Sequence, residues 1–380
     1  MAASLRLAVL LLTLSVPAWV AGCGSAAPAP ERFGALNPRL GELLLVGFHG
    51  TALEDNAALE RLVCETRVAG VILFARNIVN AEQTARLTRE LSARARECTG
   101  HALLVAVDAE GGRVMRLGPD AGWTETPSHQ DLGQAGDLAQ TELEARRIGG
   151  MLRAAGINWN LAPVVDVGYN PANPVIVGVG RSFGATPTLV AAQARAYIIG
   201  MHAAGVLTAL KHFPGHGSSA DDSHAGFVDV TDTARPDVEL VPYRLLLAEG
   251  VVDAVMTAHV YNRHLDAWVP ATLSRPTIDG MLRHKLGWRG VVVSDDMRMG
   301  AIEQHYGAGD AAVRALRAGV DLILIADDRL PGDRSASAET LKAIRRAVRR
   351  GRLPAGRVDE ALARVAALRS RLLTPAAEVR

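Results

Sequence analysis

The chain has 380 residues and a formal net charge of +1, with 49% hydrophobic and 21% charged residues. This composition excludes a chain that is disordered throughout, because such chains carry too few apolar residues to form a core. The near-zero net charge gives no reason to expect a nucleic-acid partner or a strongly acidic one. The length suits one large α/β barrel or two ordinary domains.

The N-terminus has the pattern of a bacterial secretion signal. One basic residue precedes an apolar run at 7–14, which is too short to span a bilayer. The tetrapeptide VAGC that ends at Cys23 resembles a lipobox, in which cleavage precedes a cysteine that then carries diacylglycerol. We therefore predict a lipoprotein signal peptide at 1–22, a lipidated Cys23 with a flexible tether at 23–36, and an extracytoplasmic protein anchored to a membrane. The alternative is an ordinary secretion signal with a chance cysteine.

Short apolar runs alternate with longer segments of helical period along the rest of the chain. The runs are 43–48, 70–74, 103–108, 158–163, 206–211, 254–259, 291–295 and 320–325. The helical segments include 81–96, 141–155, 187–204 and 311–318. Strand–helix alternation without an internal linker predicts a (β/α)8 TIM-like barrel as a single α/β domain over 37–375. A doubly wound open sheet is the alternative.

Side chains that are capable of chemistry follow several of these runs closely. They are Asp108, Asp166, Lys211, His212, His259 and Asp295. Active sites of (β/α)8 barrels form at the C-terminal ends of the strands, so this distribution favours the barrel and predicts a site at that end.

Two cysteines, Cys64 and Cys98, lie at predicted helix–strand boundaries of neighbouring repeats. Outside the cytoplasm such a pair can oxidise to a disulfide. Two unpaired thiols in the core are the alternative interpretation.

The C-terminal region from residue 340 onward is rich in arginine and lysine. One interpretation is a helix that binds a membrane surface or a nucleic acid. The pattern favours two closing helices with a solvated basic side, divided near 351–354. Apolar residues at helical spacing support this second interpretation, namely Leu362, Val365, Leu368 and Leu372.

The most informative segment is KHFPGHG at 211–217, followed by Asp222 and His224. Its proline and glycines predict a loop after the strand. A carboxylate two residues from an imidazole can orient the ring and stabilise its charged form, which suggests a proton-transfer unit. His216, between two glycines, is more typical of a loop brace than of a catalyst. A metal site that includes Asp221 is a weaker alternative, because no second histidine has suitable spacing.

A second segment, 290–297, is a β-branched run that ends in Asp295 and Asp296. A carboxylate at a barrel mouth can attack the anomeric carbon of a sugar. The neighbouring carboxylate would then hold backbone or nearby side chains, and Asp296 as the attacking group is the alternative.

With these segments, residues from about 40 to 373 resemble the short, single-barrel β-N-acetylglucosaminidases of glycoside hydrolase family 3. The markers are LVGF at 45–48, GVILFARN at 70–77, VDAEGGRV at 107–114, APVVDV at 162–167, the segment 211–224, MTAH at 256–259 and SDDM at 294–297. The stretch KHFPGHG with DSH shortly after it is specific, and the ordered set is more specific still.

The resemblance implies Asp295 as nucleophile, His224 as general acid/base and Asp222 as the partner of His224. The residues that it places against the terminal sugar are Asp108, Arg116, Arg181, Lys211 and His212. It also implies hydrolysis with retention through a covalent sugar–aspartate intermediate, without a metal or another cofactor. A histidine suits the acid/base role because it titrates near neutral pH.

The chain departs from the family pattern at Gly180, where an acidic residue usually precedes the arginine. The loop around it is also longer, so the pattern fixes Arg181 less firmly than the lysine and histidine of the 211–217 segment. Asp166 is interpreted as a structural hydrogen-bonding carboxylate. Glu110 is interpreted as a brace of its own loop, and it is also the alternative acid.

We therefore predict an exo-acting, retaining β-N-acetylglucosaminidase that acts on muropeptides or related glycans, as a monomer. A β-glucosidase, a broad β-hexosaminidase and a phosphorylase on the same barrel are the enzymatic alternatives. An inactive sugar-binding lipoprotein is the non-enzymatic alternative. The presence of Asp222, His224 and Asp295 together argues against it.

Overall fold

The computed structural model describes residues 30–373, so the predicted signal peptide and Cys23 lie outside the described residues. Eight parallel strands form the centre of the structure. They are Leu44–Gly47 (β1), Gly70–Leu73 (β2), Leu104–Val107 (β3), Trp159–Asn160 (β4), Leu207–Phe213 (β5), Ala254–Thr257 (β6), Val291–Val293 (β7) and Ile323–Ile325 (β8). Each predicted apolar run overlaps one of these strands, although β5 continues two residues beyond the run at 206–211 and the run at 158–163 yields only the short β4.

The strands close into a barrel. Their hydrogen-bonded order is β7-β6-β5-β4-β3-β2-β1-β8, and β1 pairs in parallel with both β2 and β8. Between β7 and β8, Val293 forms a parallel bridge with Leu322, and the Ser294 N–H donates to the Leu322 carbonyl at 2.9 Å. A doubly wound sheet would leave two open edges, so the predicted barrel is confirmed and the open-sheet alternative is wrong.

Helices connect successive strands and surround the barrel. They are Ala57–Glu60 with the π-helix Arg61–Thr66, Ala81–Thr99, Leu138–Ala154, Pro187–Ala203, Pro236–Glu249, the π-helix Pro276–Lys285, Ala308–Ala318 and Ala336–Arg349. The four predicted helical segments match their helices to within about one turn. Two shorter helices, His129–Ala135 and Gly300–Tyr306, lie in the loops at the C-terminal ends of the strands. Within residues 30–373, no helix combines the length and apolarity needed to cross a membrane.

The barrel interior is filled by side chains that alternate with those facing the helices. Leu45, Ile72, Trp159, Leu207 and Val293 belong to this inner cluster and are almost completely buried. A second, larger cluster lies between the strands and the helices. Because the interior is packed, a cavity at the C-terminal ends of the strands has a closed floor.

Two helices close the C-terminal region, as predicted, with the division near residue 351. Ala336–Arg349 packs beside the barrel, and Ala355–Ser370 follows it after a turn. Leu362, Val365 and Leu368 of the second helix are buried. Most basic residues of this region lie on the outer sides of packed helices, whereas Arg369 is buried against Glu42, and Arg357 and Arg364 contact the buried Asp321.

The predicted tether needs a correction at its C-terminal end. Residues Pro30–Leu36 form an α-helix, with Leu36 buried in the core. The Arg32 guanidinium contacts the Asp359 carboxylate at 2.6 Å. The folded domain therefore begins before residue 37, because tertiary packing orders a stretch whose composition suggested a linker.

Cys64 and Cys98 form a disulfide. Cys64 lies in the π-helix Arg61–Thr66, and Cys98 lies near the end of Ala81–Thr99. The bond links two neighbouring repeats of the barrel across 34 residues of sequence. Of the two interpretations left open by the sequence, the disulfide is therefore the one observed.

Candidate active site

A cavity of 410 Å³ opens at the C-terminal ends of the strands. Its lining includes all eight side chains that the sequence assigned to catalysis or sugar binding: Asp108, Arg116, Arg181, Lys211, His212, Asp222, His224 and Asp295. These residues come from four different strand–loop units, so the barrel brings together positions that are far apart in sequence. The volume is at the small end of the range for ligand sites.

Lys211 lies on β5 with its ammonium group between two carboxylates. Its Nζ is 2.8 Å from Asp108 Oδ1 and 2.6 Å from Glu110 Oε1, and the side chain is only 2% exposed. Burial alone would lower the pKa of Lys211, but the charges of Asp108 and Glu110 outweigh it and raise that pKa. Lys211 is therefore a fixed, charged hydrogen-bond donor in the cavity wall.

Arg181 is held by the carboxylate of Glu110. Its Nε and Nη2 donate to the two Glu110 oxygens at 2.8 Å each, and Nη1 donates to the Val175 carbonyl at 3.1 Å. Burial would raise the pKa of Glu110, but Arg181 and Lys211 outweigh it and hold that pKa well below its usual range. The carboxylate that holds Arg181 thus comes from another loop, and not from position 180, which is a glycine. The interpretation of Glu110 as a mere loop brace missed this pairing.

His212 is oriented by Asp166. The His212 Nδ1 lies 2.6 Å from Asp166 Oδ2, and the N–H of His216 donates to Asp166 Oδ1 at 2.7 Å. With Nδ1 bound to a carboxylate, Nε2 can accept the hydrogen bond from Arg181 Nη2 at 3.3 Å. Asp166 is completely enclosed by these donors, so it is the structural carboxylate expected from the sequence.

Asp295 follows β7 and has one carboxylate oxygen free of backbone contacts. Its Oδ1 accepts the N–H of Asp296 at 2.8 Å, and no other hydrogen bond to its side chain occurs within residues 30–373. Burial would raise the pKa of Asp295, but the rings of His259 and His212 outweigh it and lower that pKa. The carboxylate is therefore ionised at neutral pH and suited to nucleophilic attack.

Asp296 has a different environment from its neighbour. Its Oδ1 accepts the N–H groups of Ala326 at 2.8 Å and Arg298 at 3.1 Å, and burial raises its pKa to about 6. Its carbonyl accepts a hydrogen bond from the buried ring of His259 at 2.9 Å. Asp296 thus anchors the loop that carries Asp295, which favours Asp295 as the reactive carboxylate.

The pair Asp222 and His224 lies at the cavity rim. His224 Nδ1 is 2.7 Å from Asp222 Oδ1, which also accepts the His224 N–H at 2.8 Å. The His224 side chain is 64% exposed and the Asp222 side chain is 44% exposed. The His224 carbonyl accepts the N–H of Gly300, which fixes the loop against the helix Gly300–Tyr306. With Nδ1 bound to Asp222, Nε2 is the ring nitrogen left to exchange protons.

His216 is buried beneath this loop and braces it. Its Nε2 is 3.0 Å from Ser223 Oγ, and its Nδ1 contacts Ser219 Oγ. Burial, assisted by the nearby His212 ring, lowers the pKa of His216 to about 4.

In the part of the chain from residue 30 to 373, no group of three His, Cys, Asp or Glu side chains is arranged to hold a metal ion.

Arg116 and Phe74 form one side of the cavity. The guanidinium of Arg116 lies 6.0 Å from the centre of the Phe74 ring, and its Nε has no hydrogen-bond partner among the described residues. The Nε itself is buried, whereas the Arg116 side chain lines the cavity. Phe74 was not assigned to the site from the sequence, although its place at the end of the 70–74 run is the signal that would have found it.

Comparisons with known proteins agree with this geometry. Residues 35–368 match the family model of the glycosyl hydrolase family 3 N-terminal domain. The β-hexosaminidase A of Pseudoalteromonas piscicida is 34% identical over 334 residues, which are 83% of this chain and 55% of that protein. A β-hexosaminidase of Xylella fastidiosa strain 9a5c is 40% identical over 299 residues, which are 77% of this chain and 85% of that protein.

A solved structure gives the same picture. The family 3 β-N-acetylglucosaminidase from a Paenibacillus species superposes with a TM-score of 0.83 at 41% identity, covering 91% of this chain and 64% of that one. The chain thus spans little more than half of the Pseudoalteromonas protein and less than two thirds of the Paenibacillus structure, but most of the Xylella protein.

Proposed function

The chain belongs to glycosyl hydrolase family 3, and we propose that, as a β-N-acetylhexosaminidase of this family, it removes terminal β-linked N-acetylglucosamine from glycans. The family resemblance found in the sequence is confirmed by the family match over residues 35–368. The predicted enzyme class is that of the Xylella relative, most of whose length the chain covers.

The observation that carries this proposal is one closed-floored cavity with an ionised carboxylate inside it and a histidine–carboxylate pair at its rim. Asp295 and the pair Asp222–His224 line the same 410 Å³. Packed side chains close the cavity below, and its small volume suits a single sugar unit. The geometry therefore favours removal of one terminal sugar at a time.

In the first step, a carboxylate oxygen of Asp295 attacks the anomeric carbon of the bound sugar. The bond from that carbon to the glycosidic oxygen breaks, and Nε2 of protonated His224 gives its proton to the leaving oxygen. Asp222 stabilises the charged ring before transfer and keeps Nε2 directed to the cavity. The products are a sugar–aspartate ester and the shortened glycan.

In the second step, His224 acts as a base. It takes a proton from water, whose oxygen attacks the anomeric carbon and displaces the Asp295 carboxylate. Two displacements at one carbon give a product that retains the β configuration. His224 ends this step protonated, as it began the first.

The sugar hydroxyls are held by the charged wall of the cavity. Lys211 and Arg181 present fixed N–H donors, and Asp108 accepts through its partly exposed carboxylate. Arg116 adds a positive charge to the lining beside the Phe74 ring. Bonds of this charge-assisted kind select the orientation of the sugar ring.

The proposed setting is outside the cytoplasm, with a lipid anchor on Cys23 and muropeptides or related glycans as substrates. The lipobox-like tetrapeptide supports the anchor. The disulfide between Cys64 and Cys98 supports an oxidising compartment, since such bonds are rare in the cytoplasm.

The test is turnover of nitrophenyl β-N-acetylglucosaminide by the wild type, Asp295→Ala and the matched control Asp221→Asn. Asp221 is an exposed acid of the rim loop, and no ion pair to it occurs within the described residues. We expect loss of nearly all turnover in Asp295→Ala and normal turnover in the control. Faster turnover of the glucoside or the galactosaminide would overturn the sugar assignment, and sugar-1-phosphate formed in added phosphate would overturn hydrolysis.

A further inference from the structure

The face opposite the active site is strongly basic. It is formed by the N-terminal ends of the barrel strands and the C-terminal ends of the surrounding helices, and we call it the basal face. Its exposed cations include Arg289, Arg317, Arg346, Arg349, Arg350 and Arg352. Four of the six belong to the end of the helix Ala336–Arg349 and the turn after it. The proposed reaction uses none of them.

These cations are not neutralised by neighbouring acids. None of the six forms an ion pair within residues 30–373, whereas several acids around this face do. Glu97 pairs with Arg94, and Glu249 pairs with Arg195. Asp359 likewise pairs with Arg32. The unpaired charge on the basal face is therefore positive, although the whole chain has a formal charge of only +1.

A buried cluster adds to the positive field of this face. The carboxylate of Asp321, just before β8, accepts hydrogen bonds from Arg283 at 2.5 Å, Arg357 at 2.7 Å and Arg364 at 3.1 Å. Three guanidiniums thus share one carboxylate. Among the described residues, only the exposed Glu360 adds a further negative charge, at 3.8 Å from Arg364 and 3.9 Å from Arg357. Buried charges are screened less by salt than exposed ones.

Helix dipoles account for only part of this concentration of charge. A cation at the C-terminal end of a helix is favoured by the negative end of the dipole. That reasoning covers Arg317, Arg346, Arg349 and the C-cap residue Arg350. It does not cover Arg352, which lies just before the next helix, Ala355–Ser370, where the positive end of the second dipole disfavours a cation. A partner with negative charge would account for Arg352 and for the lack of paired acids.

The chain enters the domain at the same face. The helix Pro30–Leu36 packs against the final helix, with the Arg32–Asp359 ion pair between them. Pro30 follows Cys23 by a stretch of sequence that spans at most ~25 Å when extended. A lipid on Cys23 would therefore hold the basal face close to the bilayer.

We propose that the basal face docks on an anionic phospholipid surface, so that the cavity opens away from the membrane. The membrane location rests on the lipid anchor of the proposed function, whereas the electrostatic contact does not need the anchor. Each exposed arginine near an anionic bilayer raises the partitioning of a protein from water onto the membrane about fivefold. The lipid would hold the protein at the membrane, and the arginines would set its orientation there.

The test uses the full chain with Cys23→Ser, which cannot be acylated. Its binding is measured by co-sedimentation with vesicles of phosphatidylcholine alone and with about one third phosphatidylglycerol. One variant replaces four basal arginines by glutamine: Arg346, Arg349, Arg350 and Arg352. A matched control replaces four exposed arginines elsewhere, none with an ion pair among the described residues: Arg86, Arg89, Arg263 and Arg329. The apolar N-terminal run is the same in all variants. Any membrane binding that it causes is therefore measured with the neutral vesicles and can be subtracted.

We expect the parent protein to bind the anionic vesicles more tightly than the neutral ones, with the difference removed by high salt. The basal variant should lose about tenfold or more of the anionic binding, and the control should keep it. Equal losses in both variants, or none in the basal variant, would overturn the docking surface. Nitrophenyl glycoside turnover in the same samples should be unchanged, so a failure of the proposed enzyme activity would be seen separately.

Discussion

Substitution of Glu110 by glutamine removes one negative charge from the centre of the site while keeping the shape of the side chain. In the wild type, this carboxylate forms two 2.8 Å bonds to Arg181 and lies 2.6 Å from Lys211. The three side chains are almost completely enclosed, at 2% exposure for Glu110, 12% for Arg181 and 2% for Lys211. Lys211 keeps Asp108 in the variant, but Arg181 loses its only carboxylate within hydrogen-bond distance among the described residues.

The expected cost follows from this burial. Removal of one partner of a buried ion pair costs about 3–5 kcal/mol, because the remaining charge is left in a medium of low dielectric. A half-exposed ion pair contributes about 1 kcal/mol or less to the free energy of unfolding. Glu60→Gln is the matched control, since Glu60 and Arg94 are 37% and 35% exposed. We therefore expect the free energy of unfolding to fall by about 3 kcal/mol or more in Glu110→Gln, and by less than about 1 kcal/mol in the control.

Urea unfolding and steady-state kinetics measure the two consequences. Arg181 should lose its orientation toward the sugar, so kcat/KM should fall in Glu110→Gln and remain normal in Glu60→Gln. The pKa of Glu110 is lowered from its ordinary 4.5, so its stabilising effect is complete above pH 4.5 and is lost only as the pH falls through the lower folded value. Equal stability losses in both variants, or a difference that already shrinks near neutral pH, would refute the reasoning.

Four further outcomes are expected. His224→Ala should slow hydrolysis of poor leaving groups more than of nitrophenolate, which needs little protonation; equal losses on both would contradict the acid role. Asp222→Asn should show the same pattern more weakly, and unchanged rates on both substrates would argue against the pair. Replacing Cys64 and Cys98 together by serine should lower the free energy of unfolding by about 2–4 kcal/mol in urea titrations, and a change near zero would refute this. His216 is neutral in the fold, with a pKa of about 4 against an ordinary 6.5. Its stabilising effect, present above pH 6.5, is therefore lost as the pH falls toward 4, and a His216→Asn variant should show a shallower pH dependence of stability.

The sequence predicted the strands and most of the site for one physical reason. In a closed parallel barrel, the residue after each strand reaches the same end, so Asp108, Lys211 and Asp295 could be assigned to one site without knowledge of contacts. The pairing of Glu110 with Arg181 could not be predicted in this way. These residues are 71 positions apart, and nothing local to either one indicates which loop its partner comes from.

The N-terminal boundary was placed too late for a related reason. The composition near residue 30 is typical of a linker, and the helix Pro30–Leu36 is seven residues long. A helix of that length is not stable alone. It forms because Leu36 enters the core and Arg32 reaches Asp359 on the last helix. Sequence patterns report local preference, whereas this helix depends on contacts with residues more than three hundred positions away.

The charges of the cavity also bear on which sugar it can accept. Two of the three cations in the lining, Lys211 and Arg181, are bonded to carboxylates, whereas Arg116 forms no ion pair among the described residues. The ionised Asp295 lies in the same lining, so the wall is strongly polar and carries charges of both signs. A neutral sugar gains oriented hydrogen bonds there at no cost in unpaired charge. An acidic sugar would bring a second anion beside Asp295, whose ionised form is needed for attack. As part of the proposed function, we therefore expect the cavity to favour a neutral terminal sugar such as N-acetylglucosamine. Carboxylates of any attached peptide would then lie beyond the rim, where His224 and Asp222 are exposed to solvent.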